Sequence, residues 1–215
     1  MVRANSRWFI LFVLMNLISM FFFPKTGHTN TNWLSYFRRD SMLNTYKRAY
    51  AVLDDSLWVG TFGDGIKIKD GSKTINLTSG NTRSSQRRDD GLISDYITSI
   101  LIDQANNRVW IGTNAGLASC NLEGKEWERY TTANGLPNNV IRDLALDSHG
   151  ILWAATSMGL GAFDGENWKI YNESNGLPQN SVRSLNVQGD SLWIGTIGGA
   201  VSRYRSGEWK TVMTF

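Results

Sequence analysis

Residues 191–196 read SLWIGT, and the chain spells nearly the same word three more times: SLWVGT at 56–61, RVWIGT at 108–113 and ILWAAT at 151–156. The tryptophans at the centre of the four phrases are Trp58, Trp110, Trp153 and Trp193. They recur at intervals of roughly 40–50 residues, the period of a blade in a β-propeller. A second series, Trp127, Trp168 and Trp209, follows the last three of them, and Thr74 holds the corresponding place in the first unit.

Each unit divides into four short apolar runs separated by Asp, Asn, Ser and Gly. The third is the clearest: VIRDLALD, ILWAAT, GLGAFD and NWKIYN. Short runs of this kind, bounded by turn formers and without helical periodicity, predict strands. The predicted fold is all-β, a β-propeller of four-stranded blades at approximately 46–78, 95–131, 139–172 and 181–214. The connections between units contain NGLPNN at 134–139, NGLPQN at 175–180 and a looser DGLIS at 90–94. A polar segment at 79–90 lengthens the first interval and reads as an insertion in a surface loop.

The repeated phrase has a physical reading. Strands near the centre of a blade are covered on both faces by neighbouring blades, so they are apolar throughout. In Leu192-Trp193-Ile194 the leucine and isoleucine point to one side and the tryptophan to the other. Gly195, like Gly60, Gly112 and Ala155 at the same place, leaves room for an adjacent sheet. Trp58, Trp110, Trp127, Trp153, Trp168, Trp193 and Trp209 are therefore expected to be structural, packed between blades.

Composition sets further bounds. The chain has 215 residues, nine Trp, 21 Gly, three Pro and a formal net charge of +3. The basic residues form no stripe interleaved with aromatics, which argues against a nucleic-acid partner. Residues 8–23 are uncharged and apolar, preceded by Arg3 and Arg7 and followed by Pro24. As a helix this run would span about 24 Å, between a signal-peptide core and a spanning segment. Residues 1–30 are thus predicted to be a signal peptide or signal anchor that directs the rest of the chain to an extracytoplasmic, periplasmic location. That segment is also the predicted sole contact with a membrane. The remainder, 31–215, is assigned to the propeller.

Trp33 and Tyr36 reproduce the W-x-x-Y of a fourth strand ahead of the first unit, an orphan outer strand at 33–37. Four blades plus that strand predict an incomplete propeller with open sheet edges. Missing blades or a second chain are the expected partners at those edges.

The sequence holds little reactive chemistry. Cys120 is the one cysteine, and His28 and His149 are the two histidines. No nucleophile elbow, phosphate loop or zinc-ligand spacing occurs. Asp54, Asp103 and Asp147 recur at one place in successive units and read as turn formers. No catalytic residue, metal site or cofactor is expected. Binding has more support: in a blade, the loops from strand two to three share one end with the connections between blades. The residues that vary there are Phe62 with Asp64, Asn114 with Ala115, Ser157 with Met158, and Ile197 with Gly198. Variation on a fixed scaffold is where ligand specificity would reside.

The units also resemble a known family. The pattern W-x-x-Y-x-x-x-N-G-L-P-x-N-x-V, followed by a turn and L-W-[IVA]-[GA]-T-x-x-G-[LA], stands at 168–200 as WKIYNESNGLPQNSVRSLNVQGDSLWIGTIGGA. It resembles the two-component regulator propeller repeat. The resemblance implies a propeller in the extracytoplasmic part of a membrane sensor, many such sensors being hybrid two-component proteins of polysaccharide-using bacteria. In that family the pattern continues through further blades, an immunoglobulin-like domain, a membrane helix and a kinase. The expectation is a non-catalytic ligand-sensing or interaction module, the N-terminal part of such a sensor, with an oligosaccharide or other small ligand. The alternatives are a propeller enzyme, such as a lyase or glycan-active protein, and a structural surface or secretion component.

Overall fold

In the computed structural model, residues 47–83 and 90–214 are described. The apolar N-terminal run, His28 and the orphan strand at 33–37 lie outside the described residues.

The described chain is all-β. The first sheet holds β1 (Lys47–Leu53), β2 (Ser56–Thr61), β3 (Ile66–Asp70) and β4 (Lys73–Leu77). The second holds β5 (Ile97–Asp103), β6 (Arg108–Thr113), β7 (Leu117–Cys120) and β8 (Glu128–Tyr130). The third holds β9 (Ile141–Leu146), β10 (Leu152–Thr156), β11 (Gly159–Phe163) and β12 (Trp168–Tyr171). The fourth holds β13 (Val182–Gln188), β14 (Ser191–Thr196), β15 (Val201–Arg205) and β16 (Glu208–Met213). Each sheet is antiparallel with its strands in sequence order. First strands of successive sheets are neighbours, β1 beside β5, β5 beside β9 and β9 beside β13. This is a β-propeller built of four-stranded blades. No comparable packing joins β13 to β1 among the described residues.

The recurring phrase forms β2, β6, β10 and β14, the second strand of each blade. One rule generates all three inter-blade cores. The tryptophan of one blade meets the aliphatic face of the next: Trp58 with Val109 and Ile111, Trp110 with Leu152 and Ala154, Trp153 with Leu192 and Ile194. The small residue beside each tryptophan is obligatory where the next sheet approaches. A side-chain carbon on Gly60 would come 2.4 Å from Cγ2 of Ile97, and one on Gly112 2.6 Å from Cγ2 of Ile141.

Trp193 departs from this rule. β2 and β6 are buried from their second residue onward and β10 throughout, but in β14 buried and half-buried residues alternate. Trp58, Trp110 and Trp153 are buried, whereas Trp193 is half-buried, with the Arg203 guanidinium 5.9 Å from its ring. The expectation that all four central tryptophans are packed between blades is corrected here. No described sheet packs on the Trp193 face, so that strand keeps the alternation of a one-sided sheet.

The connections between blades are structural to the last letter. In NGLPNN, the residues Thr132–Asn134 make one 3-10 turn capped by Thr131. The Asn134 amide oxygen accepts from Thr131 N at 2.6 Å and its Nδ2 donates to the Arg129 carbonyl at 2.9 Å. Gly135 takes a left-handed conformation (φ 119°), Leu136 plugs the inter-blade core, and Asn139 accepts from Thr132 N at 2.8 Å. NGLPQN repeats each bond through Asn175, Leu177 and Asn180. Two further ties join blades 3 and 4: Asp143 accepts from Leu185 N at 2.8 Å, and Arg142 donates to the Ser181 hydroxyl at 2.8 Å.

Candidate functional site

The end of the propeller that carries the β2–β3, β6–β7, β10–β11 and β14–β15 loops is built on four buried threonines, Thr61, Thr113, Thr156 and Thr196. Thr61, Thr113 and Thr156 donate across their own hairpins, to the carbonyls of Gly65 (2.8 Å), Gly116 (2.7 Å) and Gly159 (2.7 Å), whereas the Thr196 hydroxyl donates to Gln179 Oε1 at 2.7 Å and lies 3.3 Å from the Ala200 carbonyl. Each also accepts a backbone N–H from the same loop, from Asp64, Ala115, Met158 and Ala200. The final threonine of the repeated phrase is therefore a clamp that gives every loop a fixed shape. Its signal in the sequence was its recurrence in all four phrases.

A second set of bonds ties these loops to the segment preceding the first strand of the same blade. Ser94 donates to the Asn114 side chain at 2.7 Å, and Ser157 donates to the Asn138 side chain at 2.9 Å. Gln179 Oε1 accepts from Gly198 N at 3.0 Å and from the Thr196 hydroxyl at 2.7 Å. In these three blades the loop residue and its partner form a matched pair, and Gly198 is a glycine because the Gln179 amide fills the space of a side chain.

The eight residues expected at this end thus separate. Asn114, Ser157 and Gly198 are engaged in loop anchoring. Asp64 stands 3.9 Å from the Lys67 ammonium and is exposed, as is Ala115. Phe62, Met158 and Ile197 project outward, each at least half exposed. Phe62 meets Tyr96 edge-to-face at 4.7 Å, and Tyr96 and Val140 extend the exposed apolar surface along the same end. The last two lie just before β5 and β9, outside the loops whose repetition drew attention to them.

The opposite end is made of hairpins held by aspartates. Asp103 accepts from Asn106, and Asp164 accepts from the backbone of Glu166 and Asn167, which holds its carboxyl below the usual range. Asp147 accepts from His149 N and Ile151 N, and its other oxygen accepts from the Trp153 indole N–H at 2.8 Å. Asp103 and Asp147 are turn formers, with the second also orienting a core tryptophan. His149 lies on the surface of that turn, 4.0 Å from Asp147. Among the described residues no group of three or more His, Cys, Asp or Glu is arranged to hold a metal ion, and no helix is long and apolar enough to cross a membrane.

This architecture has close parallels. A family model for the two-component regulator propeller matches residues 91–115 and 135–158, the two inter-blade connections and second strands of blades 2 and 3. Those two stretches are similar to the two-component regulator propeller repeat. Among solved structures, the chain is similar to the extracellular domain of a protein from B. thetaiotaomicron described as a hybrid two-component system (19% identity, TM-score 0.66). That match covers 79% of this chain and 25% of the other. It is also similar to the extracellular domain of a protein from the same organism described as a one-component system, at 14% identity and TM-score 0.62, covering 78% and 25%. A third neighbour is PorZ, a surface component of the type-IX secretion system of Porphyromonas gingivalis, at 19% identity and TM-score 0.52, covering 74% and 21%. The chain spans about a quarter of the length of the first two, and these likenesses establish the fold. No curated protein sequence matches the chain.

Proposed function

We propose that this chain is a non-catalytic, extracytoplasmic ligand-sensing module, the N-terminal part of a two-component regulator propeller sensor whose signalling output lies outside it. The observation that carries this reading is the loop end. Clamped threonines and matched side-chain pairs hold four loops rigid, while Phe62, Asp64, Ala115, Met158 and Ile197 differ from blade to blade and face outward. Rigid loops lower the entropic cost of binding, and exposed apolar side chains beside polar loop groups suit an oligosaccharide or similar small ligand. The Trp193 face of the fourth blade, on which no described sheet packs, is where further blades or a second chain would join.

A thermal-shift screen of the full chain against oligosaccharides tests the proposal. A bound ligand at one hundred times its Kd would add about 2.7 kcal/mol to stability. Phe62→Ala and Met158→Ala would each weaken that ligand by roughly tenfold, about 1.4 kcal/mol. Cleavage of an oligosaccharide by the purified chain, with no accompanying stabilisation, would overturn it in favour of a propeller enzyme.

A further inference from the structure

Two sister clefts open at the end of the propeller opposite the loops, one between blades 2 and 3 and one between blades 3 and 4. The first has a volume of about 290 Å³ and the second about 400 Å³. Both are walled by a tryptophan from the second strand (Trp110 or Trp153) and an aromatic from the third strand of the next blade (Phe163 or Tyr204), and Tyr171 from the fourth strand completes the wall of the larger.

They differ in how charge is placed. In the smaller cleft Arg108 lies across the wall, its guanidinium 5.2 Å from the Trp110 ring centroid. One nitrogen donates to Glu128 at 3.0 Å and to the Tyr130 hydroxyl at 3.3 Å. In the larger cleft the repeat puts Ile151 at the position of Arg108 and Lys169 at that of Glu128. The two phenols there, Tyr171 and Tyr204, bond to each other at 3.0 Å. Asp147, Asp164 and Asp190 from three hairpins line its mouth, with Lys169 and His149 as the basic groups.

We infer that the cleft between blades 3 and 4 binds a guanidinium group delivered from outside the chain, at the seat that Arg108 fills in the sister cleft. A planar guanidinium stacks on an aromatic wall while its five N–H groups reach acceptors around its edge. The acceptors are at hand. Asp147 is committed to the backbone and to Trp153, but among the described residues Asp190 has only a long 3.4 Å bond from Ser148, and backbone bonds hold the exposed Asp164 carboxyl below the usual range. The phenol pair retains lone pairs. The aromatic wall already takes a cation: the Lys169 ammonium stands 4.9 Å from the Tyr171 ring centroid. Lys169 is exposed, so it can swing away without disturbing the core. This site is at the other end of the blades from the loop surface and stands independently of the ligand assigned there.

The test is a titration of the full chain, read by heat and by tryptophan fluorescence, with L-argininamide, an end-blocked Ala-Arg-Ala peptide and neutral L-citrullinamide. The arginine probes bind, and citrullinamide binds at least roughly tenfold more weakly because it lacks the charge. Tighter binding of the peptide than of argininamide identifies a protein partner as the source of the group, and the reverse identifies a small molecule. Ile151→Arg, which supplies the chain's own guanidinium, lowers binding by about tenfold or more, and Lys169→Ala raises it several-fold by removing the resident cation. Asp190→Asn weakens binding, and Met158→Ala at the loop end leaves it unchanged. Equal binding of argininamide and citrullinamide, or no binding of either arginine probe, overturns the inference. Should Ile151→Arg not fold, a Lys169→Ala variant that binds argininamide no more tightly than the parent overturns it equally.

Discussion

A side-chain carbon on Gly135 would stand 2.7 Å from Cδ1 of Trp168. The glycine belongs to the connection between blades 2 and 3, and the tryptophan to the outer strand of blade 3, so the loop lies directly on the ring. A side-chain carbon on Gly161 would come 2.9 Å from the same ring, and Phe163 stacks on it with centroids 4.9 Å apart. Gly176 repeats the arrangement, a side-chain carbon there falling 2.5 Å from Cδ1 of Trp209. The NGLP motif and the second tryptophan series are therefore two halves of one joint.

Gly135→Ala should destabilise the protein by about 2–4 kcal/mol, combining left-handed strain with overpacking against the ring. Gly150→Ala provides the control. Its φ is 79° and nothing lies within 4 Å of the added carbon, so it should lose only the strain, about 1 kcal/mol. Urea unfolding of both variants measures the difference. Equal losses would show that the ring contact contributes nothing.

The central tryptophans should divide by position. Trp153→Ala removes a side chain buried in the core between blades 3 and 4 and should cost about 3–5 kcal/mol. Trp193→Ala removes a half-buried one and should cost about 1–2 kcal/mol. Comparable losses at the two sites would mean that the Trp193 face is covered in the folded chain.

Cys120 should give the fold a pH dependence on the alkaline side. Burial pushes its thiol from an ordinary 9.0 up to about 12, with Arg108 pulling the other way. The folded value is raised, so this stabilisation is fully present below pH 9 and is lost as pH climbs toward 12, the unfolded chain releasing its proton first. Tyr130, also raised to about 12 by burial and by its bond to Glu128, begins to contribute only above its ordinary 10.0. Stability should therefore decline from pH 9 to 10, and Cys120→Ala should flatten that decline despite its lower starting stability. At pH 8 the thiol of the parent should react with iodoacetamide only as fast as the blade opens. Rapid labelling of the folded chain would contradict the burial.

Much of the fold was legible because the repeat states the same physical requirement four times. A tryptophan flanked by aliphatic residues and followed by a small residue reads as a strand covered on both sides. Turn formers at fixed places separate it from its neighbours. The candidate site was less legible, because a loop residue that varies between blades looks the same whether it faces a ligand or anchors its own loop. Asn114 and Ser157 vary as Phe62 and Met158 do, yet their side chains bond to Ser94 and Asn138. Those partners lie some twenty residues away in sequence and meet the loop only when the first and second strands pair.

The sequence by itself determined the blade: its four strands, its turns, its buried tryptophan and the small residue beside it are local periodicities, repeated until chance is excluded. Tertiary structure alone decided what each blade meets. It set the burial of Trp58, Trp110 and Trp153 apart from that of Trp193, although all four sit in nearly the same phrase. It also gathered Asp164, Tyr171 and Asp190 into one cleft. Strand patterns are written in neighbouring residues, whereas burial and clefts depend on the sheet that stands opposite, which no single repeat encodes.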